Sequence, residues 1–164
     1  MKKELFSSLV GLTLVAGLGT GANAQDISTQ SVNSSVNDDG EVTVVAESYL
    51  TEGTPGTMEA SASKKAKTVG KGSVTGKDPV FGKPYAYAST TSSVGTVKTI
   101  KARIDCNNDG EGTSTSGWKT LNNTTKAKSS KLTSSTEKAK FTGYHEIKKS
   151  STSSVQKTQS HISF

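Results

Sequence analysis

Residues 96–113 read "TVKTIKARIDCNNDGEGT", and the phase of this stretch decides the fold. Ile100, Ala102, Ile104 and Cys106 fall on one parity, while Thr99, Lys101, Arg103 and Asp105 fall on the other. Alternate side chains of a strand point to opposite faces, so the pattern is that of a half-buried strand with an apolar inner side.

The end of the stretch poses a second choice. Asp105, Asn107 and Asp109, followed by Gly110, match the first half of an EF-hand calcium loop. The twelfth position of such a loop must supply a bidentate carboxylate, and here it is Ser116. A strand rather than a helix leads into it. Asn, Asp and Gly tolerate the positive φ of tight β-turns, so the stretch reads as a hairpin bend at Asp109 and Gly110, and no metal site is expected. Cys106 shares the apolar parity and is expected to be a buried thiol. The alternative is an exposed thiol that joins two chains through a disulfide.

Working outward, "PYAYASTT" (84–91) alternates Tyr85 and Tyr87 with Ala86 and Ala88. "GWKTL" (117–121), "EKAKFTGYHEI" (137–147) and "VQKTQSHISF" (155–164) are further strand candidates. Six or seven short strands separated by turn-rich segments predict an all-β fold, a small antiparallel β-sandwich or barrel-like domain. The core is lean, because Leu, Ile, Val and Phe make up roughly a sixth of the chain after the leader. Ser and Thr are abundant, which suits strands and turns more than a helical bundle.

Residues 1–24 read as a signal peptide. Lys2 and Lys3 precede the apolar "LVGLTLVAGLG", and "ANA" ends in small residues at Ala22 and Ala24. Cleavage after Ala24 and a secreted, extracellular protein starting at Gln25 are expected, and the basic start suits a bacterial leader. No later segment is apolar enough to span a membrane.

Charge divides the chain beyond the leader. Residues 25–62 hold seven acids and no Lys or Arg, whereas residues 63–164 hold eighteen basic residues against six acids. The first segment reads as a partly disordered acidic arm and linker with one strand at 41–50, and the second as a basic β domain. "QDISTQSVNSSVNDDG" (25–40) lacks periodicity and is expected to be mobile.

No catalytic constellation emerges. His145 and His161 are the only histidines, and His145 and Glu146 would face opposite sides of a strand. No Gly-x-Ser-x-Gly elbow occurs, and two histidines with one cysteine do not make a zinc site. No cofactor is expected either. The remaining signal is lysine. Lys126, Lys128 and Lys131 recur in "TKAKSSKL", and Lys138 and Lys140 alternate on one strand face. Lysine is a flexible point charge that suits repeated anions on a polymer. With one arginine and no aromatic run, sequence-specific nucleic-acid recognition is not expected. Trp118, beside a loop, is a candidate for stacking on a sugar ring.

The expectation is a non-enzymatic secreted binding protein whose basic domain contacts an anionic cell-wall polymer or cell surface. The alternative is an antimicrobial or toxin-like protein with an acidic pro-segment cut near residue 63.

Overall fold

The computed structural model describes residues 30–52 and 67–164. The signal peptide, the linker before Ser63 and that expected boundary itself lie outside the described residues. Among the described residues eleven strands form two antiparallel sheets, and the fold is an all-β sandwich. They are β1 (Ser31–Val36), β2 (Val42–Glu52), β3 (Lys67–Asp78), β4 (Tyr85–Ser92), β5 (Val97–Asn108), β6 (Gly112–Thr115), β7 (Lys119–Thr124), β8 (Lys126–Lys128), β9 (Leu132–Thr133), β10 (Ala139–Lys148) and β11 (Val155–Ser163).

The first sheet runs β1-β2-β3-β4-β8, with β9 also pairing β4; the second runs β11-β10-β5-β6, with β7 also pairing β5. One long strand of each sheet, β4 or β5, thus meets two short ones along its outer side. Thr125 alone separates β7 from β8, so the chain passes from the second sheet to the first along this side.

The period-two expectation for β5 holds in full, with Ile100, Ala102, Ile104 and Cys106 all buried. Phe141, His145 and Ile147 of β10 complete the inner side of the second sheet. The first sheet answers with small residues: Ala46, Ser48, Val74, Ala86, Ala88 and Thr90 are buried, and glycines alternate along β3 at 70, 72 and 76. The alternation is steric. A Cβ on Gly72 would overlap the imidazole of His145, which lies against the β3 backbone.

His145 ties the sheets together. Thr90 spends its one hydroxyl proton on the Lys101 carbonyl at 2.7 Å. Its oxygen, 3.0 Å from Nδ1, therefore accepts from the imidazole. Nε2 is left to accept from the Ser160 hydroxyl at 2.9 Å. Burial holds the His145 pKa down at about 3, so the ring is neutral and both its nitrogens are satisfied.

Several expectations need revising. There are more strands than the six or seven expected. Residues 31–36, expected to be mobile, form β1, paired with β2 from Ser31↔Glu47 to Val36↔Val42. All six side chains of β1 are exposed, so a backbone ladder holds it and no hydrophobic period marks it. The strand expected at 41–50 is β2, and it is structural: Ala46 and Leu50 are fully buried. Residues 30–52 of the acidic segment are thus built into the first sheet.

Candidate functional site

Outward-facing residues of the first sheet lie in rows set by its register. One row runs Thr43, Lys77, Tyr85 and Thr133; the next runs Val45, Thr75 and Tyr87. A third runs Glu47, Ser73, Ser89 and Lys128, and a fourth Tyr49, Lys71, Thr91 and Lys126. Lysines therefore occur on both halves of this face, but in different surroundings.

On the β2–β3 half the acids of the N-terminal segment neutralise them. Lys71 Nζ lies 2.7 Å from Glu47 Oε1, and Lys77 Nζ lies 2.5 Å from Glu41 Oε1. The hydrogen bond to Glu41, opposed by partial desolvation, raises the Lys77 pKa. At the sandwich end, Lys149 pairs in the same way with Glu52 at 2.6 Å.

On the β4–β8 half the lysines meet tyrosines instead. Lys128 Nζ stands 3.6 Å from the centre of the Tyr87 ring, and Lys131 Nζ 4.8 Å from that of Tyr85. A ring face attracts an ammonium through its quadrupole, by about 0.5–1 kcal/mol at an exposed site, without cancelling its charge. Lys126, Lys128 and Lys131 form no ion pair with a described carboxylate. Ala127 is buried between Lys126 and Lys128, which fixes both lysines outward. Ser129 anchors the following turn, its hydroxyl accepting from the Ala88 N–H at 2.9 Å and its N–H donating to the Ala88 carbonyl. The result is a positive strip along β8 with two aromatic supports.

The other two candidate lysines lie elsewhere. Lys140 lies on the outer face of β10 in the second sheet, whereas Lys138 sits in the bend before that strand, so the two do not share a strand face as the alternation predicted. The structure does not join them to the β8 strip.

Trp118 lies in the connection between β6 and β7, against the outer face of the second sheet, 40 % exposed. Arg103 lies between two rings, its guanidinium carbon 5.0 Å from the centre of Trp118 and 4.3 Å from that of Tyr144. Its Nη2 donates to Asp105 Oδ2 at 3.0 Å. Lys101 adds a contact at 5.6 Å to Trp118 and an ion pair with Glu146 at 3.2 Å. Trp118 thus rests on cations, and a sugar has only its remaining surface.

Asp105 is bound in this way on the outer face of β5, while Asp109 and Gly110 form the expected turn, Gly110 with φ +76°. Glu111 N–H closes that turn on the Asn108 carbonyl at 3.1 Å. His145 faces the core, and Glu146 faces outward between Lys101 and Lys157. Cys106 is fully buried, burial pushes its thiol pKa up, and it donates to Asn108 Oδ1 at 3.2 Å. An intermolecular disulfide would require β5 to leave the core.

The charge division of the sequence raised an acidic segment that covers a basic surface but not its individual acid–lysine pairs, and the tyrosine supports were missed. The pairs carried a faint signal, Glu47 on the outward parity of a strand that puts Ala46 and Leu50 inward; the supports depend on strand order. No family model, curated protein or solved structure matches this chain.

Proposed function

We propose that this is a secreted, non-enzymatic binding protein whose β4–β8 edge engages an anionic polymer at a cell surface. One observation carries the reading: Lys126, Lys128 and Lys131 have no carboxylate partner among the described residues, the last two lying over Tyr87 and Tyr85, while Lys71 and Lys77 of the same sheet are paired with Glu47 and Glu41. A row of unpaired ammonium groups attracts repeated phosphates or carboxylates without a shaped pocket. The leader-like N-terminus supports secretion. The acidic segment enters as the partner of Lys71, Lys77 and Lys149 and as two strands of the sheet, which argues against a cover to be cut away.

Co-sedimentation with purified bacterial cell walls, intact or stripped of teichoic acid, tests the reading. The wild type should sediment with intact walls, lose binding as salt is added, and bind stripped walls weakly. A variant with Lys126, Lys128 and Lys131 all changed to Gln should stay in the supernatant. Equal binding by variant and wild type would overturn the assignment of the edge.

A further inference from the structure

Unpaired acids gather at one end of the sandwich, beside the unpaired lysines 83, 138 and 140. Six described carboxylates have no ion-pair partner among the described residues: Asp38, Asp39, Asp78, Asp109, Glu111 and Glu137. All six lie at one end, in the β1–β2 turn, at the close of β3, in the β5–β6 turn and before β10. Hydrogen bonds from Ser134 and Ser135 to Asn108 Oδ1 hold the loops of the two sheets together there.

The same end carries the most exposed apolar side chains of the described residues. Phe81 is 91 % exposed, Val36 67 % and Val80 58 %. A Cβ on Gly40 would lie 3.2 Å from Val80 Cγ2, so the β1–β2 turn and the β3–β4 loop meet in one tip. Asp38, Asp39 and Asp78 outnumber Lys83 around this apolar tip, which suits a basic, partly apolar surface better than an anionic one.

Such a surface exists near the opposite end of the same molecule. The Lys98 N–H donates to the Lys149 carbonyl at 2.9 Å, and Lys148 stands beside them. Thr99, Lys101, Glu146, Lys148 and Val155 line a depression of about 170 Å³ there. Half-open to solvent, it can seat part of an aromatic ring. Lysine stems lend it apolar wall, and Val155 is 42 % exposed.

The geometry points to a second copy of this chain as partner: the Phe81 tip of one molecule docks in the Val155 depression of the next, with Asp38, Asp39 and Asp78 facing Lys148. The two surfaces differ, so the contact is heterologous and propagates into strings, open or closed into rings, rather than an isologous dimer. It leaves Lys126, Lys128 and Lys131 free. A string would therefore present many such edges, and linked weak contacts gain in avidity.

Sedimentation velocity on the chain from Gln25 to Phe164 without added polymer tests this. The average mass should rise with concentration at low salt and fall when salt is added. Phe81→Ser removes the tip and Lys148→Glu opposes it at the depression; each should weaken association by about tenfold or more. Mixed in equal amounts, the two variants should form dimers and nothing larger, since one sound tip meets one sound depression. Both positions lie at the surface, and thermal melts check that folding is intact; if Lys148→Glu melts early, Val155→Asp replaces it. A wild type that stays monomeric at low salt would overturn the proposal. So would a variant that associates like wild type, or a mixture without dimers.

Discussion

The two halves of the first sheet's outer face share a backbone ladder and a lysine-rich composition, yet one is charge-balanced and the other positive. On β2–β3, Glu41 and Glu47 sit beside Lys77 and Lys71 and cancel them. On β4–β8, Tyr85 and Tyr87 support Lys131 and Lys128 and leave their charge standing. A lysine count therefore says little about a binding face; what lies beside each lysine decides it.

Both halves rest on the same buried centre, so the largest effect should remove them together. His145 has a folded pKa of about 3 against an ordinary 6.5. Between those values the unfolded chain takes up a proton that the folded chain refuses. Stability is therefore highest above pH 6.5 and falls as the pH drops toward 3, by up to roughly 4–5 kcal/mol. His161, depressed by burial and then by Lys140, adds a loss of the same sign. Urea midpoints between pH 7.5 and 5, in a His161→Gln background, should decline with acid, and His145→Asn should flatten that decline. A flat wild-type profile would contradict the buried neutral ring.

Gly72→Ala presses on the same centre from the first sheet. The new methyl meets an imidazole held by two hydrogen bonds, and the cost should be about 1–3 kcal/mol in urea unfolding at pH 7. The equivalent change at Gly95, whose Cβ would meet nothing within 4 Å, tests only backbone strain at φ +83°.

Charge changes separate the halves. Replacing Lys126, Lys128 and Lys131 with Gln should lower affinity for a soluble poly(glycerol phosphate) by about tenfold or more, with little change in melting temperature. Tyr87→Glu would place a carboxylate beside Lys128 and turn this half into a copy of the other, so binding should fall here too. The smallest effect is expected from Glu47→Gln, which frees Lys71. It should raise affinity by no more than about fivefold, the range of an exposed ion pair. A larger gain would mean that β2–β3 is the binding half.

Much of the architecture was legible where burial on one face imposed a period of two. In β5 the apolar parity of Ile100, Ala102, Ile104 and Cys106 named the core directly, and in β10 the same logic separated His145 from Glu146. β3 was not legible. Its inward positions include Gly70, Gly72 and Gly76, because Ile147, His145 and Ile162 of the other sheet fill the space their side chains would need. A strand whose inner face is glycine looks like a linker. β1 was hidden for a different reason, since ladder bonds alone hold it. The lysines of the candidate site were visible by type, but their grouping was not. Lys126, Lys128 and Lys131 lie along one sheet, and Lys140 on the other with Lys138 in the bend before it, which only the strand order separates.

Whether the tyrosine-backed half is the binding half can be read by mapping the polymer onto the sheet itself. Backbone amide shifts of the isotopically labelled chain from Gln25 to Phe164 would be followed by NMR during titration with poly(glycerol phosphate) at low salt. Changes should concentrate at residues 85–91 and 126–132, with Lys71, Lys77 and Thr43 of the same face unmoved. Shifts centred on β2 and β3, or spread evenly over every exposed lysine, would contradict the assignment.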